Sequence, residues 1–110
     1  MRKVDKPWGH EVIWAETQNY VGKILHIDKG HRLSLQYHEF KEETVYVLEG
    51  TLVVWTGENE KVAIAEGKTW HNSPGRIHRF GALDTDVVLL EVSTPHLDDV
   101  IRLEDDYKRN

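Results

Sequence analysis

The chain contains no cysteine. That excludes disulfides and thiolate ligands, so any metal must be held by nitrogen and oxygen donors. It also has no apolar run approaching the roughly 20 residues of a membrane span, and the opening Met1-Arg-Lys-Val-Asp-Lys-Pro-Trp8 has no apolar segment of the signal-peptide type. The expectation is a cytoplasmic protein with no membrane contact. An excess of positive charge is missing too. Fourteen Lys and Arg face nineteen Asp and Glu, for a formal net charge of -5, which argues against nucleic acid as a partner because phosphate binding needs a basic face. The remaining composition, 39% hydrophobic and 30% charged, is that of an ordinary folded protein. At 110 residues the expected organisation is a single domain over 1–110, large enough for one closed core.

Helical periodicity is also scarce. Turn signals recur every eight to twelve residues or so, at Asp28-Lys-Gly30, Glu49-Gly50, Gly57-Glu-Asn59, Glu66-Gly67, Ser73-Pro-Gly75 and Leu83-Asp-Thr85. Between them the sequence predicts strands over 9–15, 20–27, 33–37, 44–48, 51–56, 61–65, 69–71, 77–82, 87–93 and 100–103, with one helical turn over 96–100. Many short antiparallel strands must close on themselves or stack to remove their edges, which makes an all-β jelly-roll barrel the expected architecture. Trp8, Trp14, Trp55 and Trp70 are expected to anchor packing, Trp70 being the one placed to line the barrel mouth. The acidic groups Asp98-Asp99 and Glu104-Asp105-Asp106 read as a solvated face.

One stretch breaks the pattern of wet and dry faces. From His31 to His38, Leu33, Leu35 and Tyr37 alternate with Arg32, Ser34, Gln36 and His38, so Gln36 and His38 point the same way and can occupy two corners of one coordination shell. Glu43 follows in phase with Val45 and Val47. A carboxylate in line with an apolar stripe is costly to bury unless a cation or hydrogen bonds meet it. His78, after Pro74-Gly75, completes a candidate ligand set of Gln36, His38, Glu43 and His78. Arg32, Lys41, Arg76 and Arg79 lie close to these ligands in sequence, which suggests a local positive pocket inside an acidic shell and therefore a small anionic substrate.

The spacing Gly30, Gln36-x-His38, Glu43, Gly50 and later Pro74-Gly75-x-x-His78 resembles the two cupin motifs. More narrowly, Lys6-Pro-Trp-Gly9, Arg32-Leu-Ser-Leu-Gln-Tyr-His38, His78-Arg79 and the tail from Thr94 to Tyr107 are similar to the mannose-6-phosphate isomerase domain that closes the bifunctional isomerase/mannose-1-phosphate guanylyltransferases. Gln36 supports the narrower likeness, since cupins at large carry His there. The resemblance implies a cupin-type barrel and a divalent metal on Gln36, His38, Glu43 and His78. Zinc is favoured, and Mn, Fe, Co and Ni suit the same donors. It also implies that Lys41 lies beside the substrate, with Arg32 and Arg79 contacting a phosphate or oxyanion. The expected function is a metal-dependent aldose–ketose isomerase acting on a sugar phosphate. A non-catalytic sugar-binding or nucleotide-sugar-binding module and another metal-dependent cupin enzyme, a dioxygenase or an epimerase, are the alternatives. A homodimer is expected, with two copies covering the apolar faces at Leu33/Leu35/Tyr37 and Val12/Trp14.

Overall fold

The computed structural model describes residues 1–57 and 59–109. Twelve strands follow one another: β1 (Arg2–Lys6), β2 (Gly9–Glu16), β3 (Val21–Ile27), β4 (His31–Arg32), β5 (Leu35–Tyr37), β6 (Glu43–Glu49), β7 (Leu52–Trp55), β8 (Lys61–Ile64), β9 (Thr69–Asn72), β10 (Arg79–Ala82), β11 (Val87–Ser93) and β12 (Ile101–Glu104). Every pairing between these strands is antiparallel. A six-stranded sheet in the order β1-β2-β3-β11-β6-β9 faces a four-stranded sheet, β4-β10-β7-β8, with β12-β5 as a third, short ladder. The third ladder is tied to the second. Gln36 and His78 exchange both backbone hydrogen bonds at 2.9 Å, and Leu33 N–H donates to Phe80 O at 2.8 Å. The result is an all-β jelly-roll barrel of the cupin type.

Alternation decides which side chains fill the barrel. The inward residues Val45 and Val47 of β6, Val87 and Leu89 of β11, Ile27 of β3, Leu52 and Val54 of β7 and Phe80 of β10 form one buried cluster, joined by Trp8 and Leu25. The β6–β7 hairpin turns at Gly50, whose φ of 80° suits glycine; a Cβ there would come within 2.3 Å of Asp86 O.

Several expectations from the sequence change. The 33–37 strand is divided, with β4 ending at Arg32 and β5 beginning at Leu35, so Leu33 packs on the core rather than facing outward with Leu35. Leu35 is already buried within the single chain, beside β12. The 96–100 stretch forms a turn rather than a helix. There Thr94 and Asp99 are committed elsewhere: Thr94 Oγ1 accepts from Glu42 N–H, and the Asp99 carboxylate accepts the backbone N–H groups of Glu39, Phe40 and Lys41. The acidic tail is a clasp rather than a solvated face. Asp106 takes a two-pronged bond from Arg32, at 2.6 and 3.0 Å, and Asp105 binds Arg109. Among the tryptophans, Trp8 and Trp55 are buried, whereas Trp14 is exposed and lies over Gly22.

Candidate metal centre

Two strands, β5 and β6, and the segments just after β5 and just before β10 bring four of the predicted side chains together. On β5, Gln36 is placed opposite His78 by their backbone bridge, and His38 follows just past the strand end. Glu43 opens β6 and is held between Ser93 of β11 and Asn72 of β9 by register. His38, Glu43 and His78 are all buried, at 4%, 3% and 1% exposure. Glu43 Oε2 lies 3.2 Å from His78 Nε2 and 3.6 Å from His38 Nε2, and Gln36 Nε2 lies 3.4 Å from His38 Nε2.

The hydrogen bonds behind these atoms determine what they can do. His38 Nδ1 meets the backbone carbonyl of Asp99, and His78 Nδ1 meets that of Arg76 at 2.9 Å. A carbonyl only accepts, so both Nδ1 atoms carry the proton and both neutral rings turn an Nε2 lone pair inward. His78 Nε2 has no hydrogen-bond partner although it is buried. Two imidazole lone pairs therefore converge on one carboxylate oxygen in a place sheltered from water, a set of acceptors with no proton between His78 and Glu43. A cation relieves that conflict. Donors about 2.1 Å from a tetrahedral ion stand about 3.4 Å from one another, which matches the observed spacings. Gln36 Oε1 accepts from Ser34 Oγ at 2.6 Å; turning the amide over directs Oε1 to the centre while the hydroxyl accepts from Nε2 instead. The donor set thus fits a divalent transition metal.

Glu43 is positioned by a relay that the sequence reading missed. Trp70 Nε1 donates to Asn72 Oδ1 at 2.8 Å, and Asn72 Nδ2 donates to Glu43 Oε2 at 3.0 Å. Trp70 therefore supports the centre from behind instead of lining the mouth. Burial raises the carboxyl pKa, but the opposing influence of its neighbours His38, His78 and Lys41 holds Glu43 well below the usual carboxylate range.

The centre opens into a cavity of about 680 Å³. Its floor continues the inward face of the large sheet, where Lys41 sits between Glu43 and Glu91, 3.2 Å from each, and Lys23 pairs with Glu11 at 3.3 Å. Burial alone would push the Lys41 ammonium pKa down, yet the charges of Glu91 and Glu43 win and raise it, so Lys41 is a cation at neutral pH. Burial pushes Glu91 up, despite the opposing charge of Lys41. Glu91 carried a signal in the sequence, since it is in phase with Val87 and Leu89.

Arg32 and Arg79 are elsewhere. Arg32 stacks 5.4 Å from the Trp55 ring and binds Asp106, while Arg79 donates to Leu33 O and Glu104 O. Both are spent on holding the tail, and neither lines the cavity. Arg76 covers Trp70, 4.4 Å from its ring. His31 bonds Tyr107 Oη and His71 pairs with Glu42, both outside the cavity.

The chain has relatives among known proteins. Residues 1–105 match the family model described as mannose-6-phosphate isomerase C-terminal. The chain is 33% identical over 113 residues to xanthan biosynthesis protein XanB of Xanthomonas campestris, covering 98% of this chain and 24% of that protein. It is 35% identical over 119 residues to mannose-1-phosphate guanylyltransferase ManC of Salmonella typhimurium, covering 98% and 23%. The chain thus spans about a quarter of the length of these curated relatives. Among solved structures, KdgF from Halomonas sp. superposes with a TM-score of 0.76 at 23% identity, covering 86% of this chain and 88% of that one. A putative sugar phosphate isomerase from Acidithiobacillus ferrooxidans gives 0.61 at 24%, covering 69% and 50%. The chain belongs to the mannose-6-phosphate isomerase C-terminal family and carries its fold as a cupin barrel.

Proposed function

We propose that this protein is a metal-dependent aldose–ketose isomerase of the mannose 6-phosphate type, with zinc as the ion. The observation that carries the reading is the convergence of the His38 and His78 lone pairs on Glu43 Oε2 at 3.6 and 3.2 Å, beside a cavity large enough for a sugar phosphate. Gln36, His38, Glu43 and His78 would hold the ion. When bound, a divalent ion supplies Lewis-acid stabilisation of the negative charge that develops on a sugar oxygen during isomerisation. The chain's own residues do the rest. Lys41, protonated and buried at the cavity floor, offers an N–H donor beside the ligand set. Glu91, with its pKa raised by burial, is the carboxyl we assign to accepting and returning the proton moved between sugar carbons.

Conversion of mannose 6-phosphate to fructose 6-phosphate by the zinc-loaded protein tests the reading. Glu43→Ala is expected to lose both bound metal and turnover, whereas Glu91→Gln keeps the metal and loses at least about a hundredfold in kcat. Absence of turnover across a panel of sugar phosphates contradicts the isomerase. Two other outcomes have specific support. Because the curated relatives are about four times longer, a sugar-phosphate-binding module is the second reading, which tight binding without turnover would select. A 28% identity over 75 residues to quercetin 2,3-dioxygenase of Bacillus subtilis, covering 64% of this chain and 22% of that protein, makes oxygen uptake the assay for a dioxygenase. The homodimer expectation now rests on the outer face of the large sheet, where Trp14, Tyr46 and Val92 are exposed; sedimentation velocity reads it directly.

A further inference from the structure

We infer that Arg102 binds the phosphate group of the ligand held at the metal centre, an inference that rests on reading the cavity as a sugar-phosphate site. Arg102 lies on β12, where its Cα partner across the ladder is Gln36. Directly opposed residues on antiparallel strands point to the same face with Cβ atoms about 5 Å apart, and both side chains line the cavity. Arg102 therefore rises from the cavity wall beside Gln36.

Its charge is unspent. Each other basic side chain lining the cavity has a carboxylate: Arg2 pairs with Glu16, Lys6 and Lys23 with Glu11, Lys41 with Glu43 and Glu91, and Arg109 with Asp105. Among the described residues, Arg102 makes no such pair, and its Nε is buried without a hydrogen-bond partner. A sheltered guanidinium N–H with nothing to receive it costs free energy in the unliganded protein. A bound oxyanion removes that cost. The planar fork of N–H groups matches the tetrahedral oxygens of a phosphate in a two-pronged bond, which a lysine cannot reproduce. Arg32 and Arg79 are occupied by the tail, so the anion-binding role expected of them passes to a residue of the tail strand. The arrangement selects a short phosphate ester whose other end carries the oxygens that meet the metal.

Titration calorimetry of the zinc-loaded protein with inorganic phosphate, mannose 6-phosphate and mannose, each run on wild type, Arg102→Gln and Arg102→Lys, tests this. Arg102→Gln is expected to keep its zinc by elemental analysis and to bind both phosphate compounds about tenfold to a hundredfold more weakly, with mannose unaffected. Arg102→Lys should recover part of the loss. The inference is overturned if Arg102→Gln binds inorganic phosphate as wild type does, if wild type binds neither phosphate compound, or if Arg102→Gln loses its zinc, which would make Arg102 a support of the ligand set. Arg102-dependent phosphate binding without isomerisation of any sugar phosphate would leave the inference standing and sink the isomerase reading alone.

Discussion

The two ends of the barrel interior are built on the same strands and differ only in their side chains. Reading inward positions from one end to the other, β6 runs Val47, Val45, Glu43; β11 runs Val87, Leu89, Glu91, Ser93; and β3 runs Ile27, Leu25, Lys23. All of these are buried. One end is a dry aliphatic cluster. The other places Glu11, Lys23, Glu91, Lys41 and Glu43 on a single face at ion-pair distances. Backbone pairing through β3, β11 and β6 spans both ends, with a bulge between Val88 and Leu89 on the apolar side, so the ladder does not by itself mark out the charged end. Buried ion pairs stabilise weakly or not at all compared with well-packed apolar groups. The difference teaches that the apolar end sustains the fold, while the charged end gives up stability for a site.

The contrast can be broken from either end. The largest effect is expected at Lys41, the cation shared by two buried carboxylates. Lys41→Met should destabilise the protein by about 3–5 kcal/mol, because it strands Glu43 and Glu91 without compensation. Adding Glu91→Leu should restore much of that, as read by urea unfolding. A single variant with no effect would mean that the charged end is far wetter than its burial implies. At the apolar end, Leu89→Ala should cost about 2–5 kcal/mol, yet leave metal content and ligand affinity unchanged under conditions where the variant is folded. Loss of metal binding there would show that the two ends are not separable.

The smallest expected effect is local and depends on acid. Asp106 is held below the ordinary carboxylate range mainly by its bond from Arg32. Asp105 and Asp99 are lowered as well: burial opposes this, but Arg109 outweighs it for Asp105, and the backbone amides of Phe40, Glu39 and Lys41 do so for Asp99. Carboxylates with depressed folded pKa values contribute stability that is present above their unfolded values, near ~3.9, and is lost as pH falls through the folded ones. Hydrogen exchange of β12 should therefore quicken below about pH 4 before that of β6 and β11 does. Simultaneous loosening of all three strands would contradict a separate tail clasp.

Much of this was legible in the sequence, for identifiable reasons. Glycine-bearing turns and alternation located the strands from β2 to β3 and from β6 to β11, because turn chemistry and period are local. The edge strand β1, Arg-Lys-Val-Asp-Lys, was missed because all its residues but Val4 are charged and it buries no face, and two-residue β4 is defined only by pairing with β10. Gln36, His38, Glu43 and His78 could be read from motif spacing. Their supporting groups could not. Asn72 meets Glu43 through the β6–β9 register, and Arg102 meets Gln36 through β12–β5, which are long-range facts. Glu11, Lys23 and Glu91 were readable in principle, as charged residues in phase with apolar neighbours, the signal that had already singled out Glu43. Arg32 and Arg79 lie near the ligands in sequence but on the other side of the chain path, where the tail carboxylates and carbonyls occupy them.

The most direct measurement is a crystal structure of the zinc-soaked protein with anomalous data at the metal edge. The expected result is one strong peak within about 2.0–2.2 Å of His38 Nε2, His78 Nε2 and a Glu43 carboxylate oxygen, with the Gln36 amide oxygen turned toward it. A peak confined to the surface group of half-buried His26 with exposed Asp28 and Asp86, or none at all with the two imidazoles turned away from Glu43, would contradict a metal centre in the barrel.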